Sequence, residues 1–285
     1  MRNDTSELLT ANERDRLYRW ARDMTPEVVL VCAQAPDVRL PRGLSPIVLP
    51  GCAGDDPSLA PALLASGAQS MHVFPCRTQQ QERCATGAEI MEPPRRRVFR
   101  AAEFLDATDL PVSRRTLMGL GALAANELPV DAAAPLGTRL AQAYRALGVD
   151  PADSLELPAP QLTVSGCQAC GVCAKVCPSD ALDLSVDGGV ATLTQNVDAC
   201  TGAQACVTSC PYDALQVAGQ LTLMDAVESP ARQIASFAVA ECQRCRAAFP
   251  AGEAADGSEK TMCPTCERKS ADPFSSWLPP GFTRS

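Results

Sequence analysis

A single histidine, His72, occurs in 285 residues. That scarcity speaks against metallohydrolases built on several histidine ligands and against a histidine-based catalytic triad. Aromatic residues are sparse at 4%, and no long block of lysine and arginine occurs. With a formal net charge of −8, neither DNA nor RNA is expected as the main partner. No apolar run approaches the roughly 20 residues that cross a bilayer, so no transmembrane segment is expected. Neither a glycine-rich dinucleotide fingerprint nor a Walker loop is present, so no flavin, NAD or ATP site is indicated. The opening stretch from Met1 to Asp23 is too charged for a secretory signal, and a cytoplasmic location is expected.

What the chain does have is fifteen cysteines, several of them in Cys-x-x-Cys pairs. In a reducing compartment these read as metal ligands rather than disulfides. Such pairs also serve as thiol–disulfide catalysts. Here they fall within four-cysteine spacings, which metal coordination explains more economically.

Residues 1–26 carry Leu8, Leu9, Leu17, Tyr18 and Trp20 among charges, with Thr5 and Ser6 as candidate caps. They predict an amphipathic helix docked on the next domain. From Glu27 short apolar runs end at cysteines. Val28-Val29-Leu30-Val31 ends at Cys32, Ile47-Val48-Leu49 at Pro50-Gly51-Cys52, and Met71-His72-Val73-Phe74 at Pro75-Cys76. With helices over 58–66 and from Arg95 to Leu105, they predict buried parallel strands in an α/β domain over 27–105. His72, inside an apolar run, reads as a core residue rather than a ligand. Arg95, Arg96, Arg97 and Arg100 read as a solvated helix face, with docking of an acidic redox partner as the alternative. Residues 106–157 predict a helical connector with helices at 114–126 and 136–147. Within it, Ser113-Arg114-Arg115-Thr116-Leu117-Met118-Gly119 superficially matches a twin-arginine export signal. It follows a whole domain, and Ser113 capping a basic helix start is the simpler reading.

The strongest signal is Cys167-x2-Cys170-x2-Cys173-x3-Cys177-Pro178. Thiolates at that spacing wrap the irons of a cubane, and the fourth cysteine reaches across to a second cluster. Cys177-Pro178-Ser179-Asp180-Ala181-Leu182 is echoed by Cys210-Pro211-Tyr212-Asp213-Ala214-Leu215, so 158–222 reads as a pseudo-symmetric repeat. These residues resemble the bacterial two-cluster ferredoxin family, which implies a compact dicluster domain of two similar halves. Aligned on Cys210-Pro211, the second copy has Cys200, Ala203, Cys206 and Cys210. One site then takes Cys167, Cys170, Cys173 and Cys210, a full [4Fe–4S] set. The other takes Cys177, Cys200 and Cys206, one thiolate short. A [3Fe–4S] cluster requires three such ligands. A [4Fe–4S] cluster with a non-cysteine ligand and an empty lobe are the alternatives. Losing an iron changes the cluster's charge and usually raises its potential, so the pair is expected to form a graded relay.

Cys32, Cys52 and Cys76 each follow an apolar run, and Cys84 lies in the loop after the third. Sites in open parallel sheets form outside the carboxyl ends of strands. Four thiols converging there suit a [2Fe–2S] cluster; ordinary buried cysteines are the alternative. The stretch Leu49-Pro50-Gly51-Cys52-Ala53-Gly54, with Ala62-Leu63-Leu64, Gly67-Ala68, Pro75-Cys76 and Cys84, resembles the delta subunit family of methyl-viologen-reducing hydrogenases. That resemblance implies a small iron–sulfur α/β domain linking a hydrogenase to a heterodisulfide reductase. The chain departs from the pattern at Cys32, which has no second cysteine nearby, and in the seven residues between Cys76 and Cys84.

Cys242-x2-Cys245 and Cys263-x2-Cys266 have the spacing of a tetrahedral four-thiolate site made by two knuckles. Zinc is the default, and a rubredoxin-like iron is the alternative, with Arg246 and Glu267 replacing the glycines usual after such pairs. Phe249, Pro250 and Gly252 suit a short ribbon. The order of ferredoxin pair, spacer and Cys-x-x-Cys ribbon over about 158–270 resembles ferredoxin-type proteins associated with bacterial formate dehydrogenases.

The expected fold is α/β plus α+β. It comprises an N-terminal helix over 1–26, an α/β iron–sulfur domain over 27–105 and a connector over 106–157. A dicluster ferredoxin domain over 158–222 and a zinc-ribbon tail over 223–285 follow. The expected function is electron transfer, as a non-catalytic subunit or shuttle with no evident substrate pocket. By resemblance it serves a formate dehydrogenase-, hydrogenase- or heterodisulfide-reductase-like enzyme. An accessory, maturation or redox-sensing scaffold is the alternative. A zinc-ribbon nucleic-acid regulator is disfavoured by the acidic charge.

Overall fold

A computed structural model describes residues 8–35, 39–74, 89–91, 101–111, 128–151, 155–252 and 259–271. The chain divides into two units, Met1–Leu155 with Leu223–Glu228, and Glu156–Thr222 with Ser229–Ser285.

In the first unit, helix α1 (Ala11–Met24) starts at Thr10, whose hydroxyl accepts the Glu13 N–H while the Glu13 carboxylate accepts the Thr10 N–H. This capping box satisfies two otherwise orphaned donors. The expected caps, Thr5 and Ser6, lie outside the described residues. One face of α1 buries Leu17, Tyr18 and Ala21. Strands β1 (Glu27–Val31), β2 (Leu44–Val48), β3 (Ser70–Phe74), β4 (Glu89–Ile90) and β5 (Leu105–Asp106) form one parallel sheet in the order β4-β3-β1-β2-β5. Val28 and Leu30 of β1 enter one apolar core, and Val29 and Val31 enter another across the sheet. Burial on both faces explains why β1 is a continuous rather than an alternating apolar run. His72 is half-buried in β3, beside Val29.

Helix α2 (Leu59–Ser66) packs against α1 and against α3 (Leu136–Leu147). Both α2 and α3 fall where the sequence predicts them. Two expectations are corrected. The helix expected to reach Leu105 does not, because Ala102 N–H donates to Leu40 O at 2.8 Å and Leu105 pairs with Ile47. Its apolar end closes the free edge of β2, and its earlier part, 92–100, lies outside the described residues. The expected connector is also part of the α/β unit. Val130, Ala132 and Ala143 share a core with Val28 and Leu30. Residues 112–127, holding the helix expected at 114–126 and the twin-arginine-like stretch, lie outside the description.

A buried ionic cluster ties this unit together. Asp56, Arg14, Arg139 and Ser58 are each at most 5% exposed. Arg139 Nη2 donates to Asp56 Oδ2 at 3.0 Å and its Nε to Ser58 Oγ at 3.0 Å. Arg14 lies 3.8 Å from Asp56 and donates to the carbonyls of Ala132 and Leu9.

In the second unit, β6 (Glu156–Val164) pairs antiparallel with β9 (Leu215–Thr222). Strands β7 (Leu182–Asp187), β8 (Val190–Asn196), β10 (Ala231–Glu241) and β11 (Ala248–Pro250) form a second antiparallel sheet in the order β11-β10-β8-β7. Two single-turn helices, α4 (Val172–Lys175) and α5 (Ala205–Thr208), follow the first cysteines of each repeat. Leu162, Leu182, Leu193 and Leu215 form the core with Cys173 and Cys206. The tail expected over 223–285 is split: α6 (Leu223–Glu228) belongs to the first unit, where Arg145 donates to the Ala226 and Val227 carbonyls. Strand β10 then runs unbroken from pairing with β8 to pairing with β11. A last helix, α7 (Pro264–Ala271), completes this unit.

Candidate metal centres

The two cysteine repeats fold in the same way. Ala169, Gly171 and Asp180 have positive φ, and so do Gly202, Gln204 and Asp213, each thirty-three residues later. The last cysteine of each repeat accepts a backbone N–H at 3.3 Å: Cys177 Sγ from Ala181 and Cys210 Sγ from Ala214. Tight loops of this kind aim successive N–H groups inward, an arrangement that favours anions.

Cys167, Cys170, Cys173 and Cys210 line one hollow, closed by Leu184, Leu193 and Leu215. Cys177, Cys200 and Cys206 line a second, with Ala203 where the fourth thiol would stand. The structure therefore brings together the two crossed sets expected from the sequence. Burial pushes the Cys173 thiol up to about 11 and raises Cys167 and Cys206. At Cys177 burial acts in the same direction, but N–H donors from Ser179 and Ala181 outweigh it and the thiol is lowered. Soft thiolate donors around an apolar hollow fit an iron–sulfur cluster, whose irons favour the deprotonated form of all these groups. Residues 166–214 match the family model of the 4Fe-4S dicluster domain. This dicluster domain marks the chain as an iron–sulfur protein of the electron-transfer kind. None of the curated proteins compared with the chain matches it.

At the other end of β10, the Sγ atoms of Cys242, Cys245, Cys263 and Cys266 all lie within 4.8 Å of one another. Cys245 and Cys263 are 3.7 Å apart, close to the roughly 3.8 Å edge of a tetrahedron with metal–sulfur bonds of about 2.3 Å. The first pair is a knuckle: Arg246, at φ 62°, turns the chain so that its N–H meets Cys242 O at 2.9 Å. The second pair is not the expected second knuckle. Cys266 sits in the first turn of α7, so the site is a knuckle facing a helix start rather than a two-knuckle ribbon. Pro264 opens that helix, a position where its missing N–H costs nothing. The N–H of Cys263, at 3.3 Å, and that of Cys245 hold the Cys242 thiol down to about 6, whereas burial pushes Cys266 up to about 12. The four cysteines can hold a tetrahedral metal ion.

In the first unit Cys32 directly follows β1, and Cys52 lies in the turn after β2. Cys32 Sγ accepts the Ala53 N–H at 3.4 Å, and Cys52 N–H donates to Asp55 at 3.2 Å. Two of the four expected thiols thus share the carboxyl edge of the sheet. Cys76 and Cys84 lie outside the described residues. The thirteen described cysteines are all free of disulfides.

Gln195 was missed in the sequence. It lines the second hollow and is fully buried. The signal was available: β8 turns Ala191 and Leu193 inward, and the next inward position is polar. Among the described residues, no helix is long and apolar enough to cross a membrane.

Proposed function

We propose that this chain relays electrons, one at a time, to or from a larger redox enzyme. The first hollow takes a [4Fe–4S] cluster on Cys167, Cys170, Cys173 and Cys210. The second takes a three-thiolate cluster on Cys177, Cys200 and Cys206, a [3Fe–4S] core in the oxidised protein. Bound clusters supply reversible one-electron chemistry. The protein's part is to hold them and to set the polarity of their surroundings. The observation that carries this reading is the shared core. Cys173 of one set and Cys206 of the other are both buried in a single apolar cluster with four leucines, so one core borders both sites.

The Cys242, Cys245, Cys263 and Cys266 site holds zinc, and Cys32, Cys52, Cys76 and Cys84 hold a [2Fe–2S] cluster. A formate dehydrogenase-, hydrogenase- or heterodisulfide-reductase-like complex is the partner that the sequence resemblances favour. The test is stopped-flow reduction of anaerobically purified protein by a low-potential donor, followed by reoxidation with a one-electron acceptor. A relay completes both steps reversibly and at rates matching enzyme turnover. Clusters that reduce slowly or break down on cycling identify a structural scaffold instead.

A further inference from the structure

Among the strand residues that line the second hollow, Leu162, Leu182 and Gln195, the last is the polar one. Its Nε2 donates to Pro160 O at 2.9 Å. A carbonyl only accepts, so this bond fixes which end of the carboxamide is nitrogen. The other end, Oε1, is buried and has no hydrogen-bond partner. A buried acceptor without a donor is costly, and such a group calls for an explanation at a functional site.

The two hollows provide an internal comparison. Each has one cysteine sulfur accepting an alanine N–H at 3.3 Å, so that donor is common to both. The strand residues closing the first hollow are Leu184, Leu193 and Leu215. Those closing the second are Leu162, Leu182 and Gln195. Among these strand residues the second hollow differs by the carboxamide of Gln195, and among its loop residues by the thiol missing at Ala203 and by Ser179, whose hydroxyl lies 3.7 Å from Cys177 Sγ where the first hollow has Tyr212.

We propose that Gln195 tunes the second cluster, its unpaired carbonyl oxygen lowering that cluster's reduction potential. This rests on the reading that the second hollow holds a three-thiolate cluster. Reduction adds one electron to the cluster, taken from the donor, and breaks no bond. In an apolar pocket the negative end of a fixed dipole opposes that added charge more strongly than it would in water. Hydrogen bonding and burial are levers by which a protein sets cluster potential. The missing thiolate acts in the opposite direction, so Gln195 narrows the step between the two clusters and keeps electron exchange between them reversible.

The test is an EPR-monitored redox titration of the full chain and two variants, Gln195→Met and Gln195→Leu. Methionine keeps the length without the dipole, and leucine copies Leu193. The expected result is an upward shift of the second cluster's midpoint in both, with the first cluster's midpoint and the iron content unchanged. An unmoved midpoint overturns the proposal, and so does a downward shift, which would mean that the amide N–H groups face the cluster. Loss of second-site iron from both variants also overturns it, assigning Gln195 a holding role. If the parent protein itself has no second cluster, the underlying reading fails, and iron analysis of the parent distinguishes that case.

Discussion

Ala169 and Gly202 stand one residue ahead of Cys170 and of Ala203, and both hold a left-handed backbone, at φ 53° and 73°. Gly171 and Gln204, one residue behind, repeat the match at 71° and 53°. The second loop therefore keeps the shape of a cysteine-bearing loop although its cysteine is absent. Ala203→Cys is predicted to place a thiol where Cys170 places its own. The oxidised-state [3Fe–4S] signal should give way to a second [4Fe–4S] cluster, with about one more iron per chain. An unchanged EPR spectrum and iron count would sink the ligand assignment.

Gly202 also lies hard against Pro158, whose carbonyl would collide with any Cβ at that position. Gly202→Ala combines that collision with a positive φ, both unfavourable for a side chain. The expected outcome is destabilisation of about 1–3 kcal/mol and iron loss confined to the second site. Wild-type iron content in this variant would show that the loop is free to move away.

The four-cysteine site predicts a particular pH dependence of metal binding. Thiols must lose their protons to bind metal. Cys266, pushed up to about 12, still carries its proton at neutral pH, whereas Cys242, held down to about 6, has lost it. As pH falls through 6, Cys242 becomes protonated, and one further proton must be displaced. The slope of log affinity for zinc against pH should therefore steepen by about one below pH 6. Chelator competition from pH 5 to 8 measures it, and a constant slope would contradict the assignment.

In the first unit the buried Asp56 carboxylate lies 3.0 Å from Arg139 and 3.8 Å from Arg14. Asp56→Asn takes the negative charge from between these two buried guanidinium groups. Removing one partner of such a cluster costs about 3–5 kcal/mol, which chemical denaturation followed at Trp20 should reveal. A loss below about 1 kcal/mol would mean that the arginines are served adequately by the carbonyls of Leu9, Ala132 and Ala134.

Regular patterns made much of this architecture legible. The continuous apolar run at Val28–Val31 identified a strand covered on both faces, and Leu136–Leu147 matches its predicted helix end to end. The grouping of the cysteines follows from aligning the two Cys-Pro repeats and from the rule that the fourth cysteine serves the other site, and each expected group lines one hollow. What escaped depends on neighbours distant in the chain. Leu105 looks helical by its local pattern, yet it becomes an edge strand because β2 offers unpaired backbone groups. Cys263 and Cys266 have the spacing of a knuckle, but Pro264 and the residues after it continue as a helix. Gln195 reads as an ordinary polar strand residue until the hollow that it borders is known.

The central claim is two adjoining, unequal clusters that exchange electrons reversibly. An anaerobic EPR-monitored redox titration of the full chain tests it most directly. The account predicts two reversible one-electron transitions, a [3Fe–4S] signal lost at the higher potential and a reduced [4Fe–4S] signal appearing at the lower. A single transition, or reduction that cannot be reversed, would contradict it.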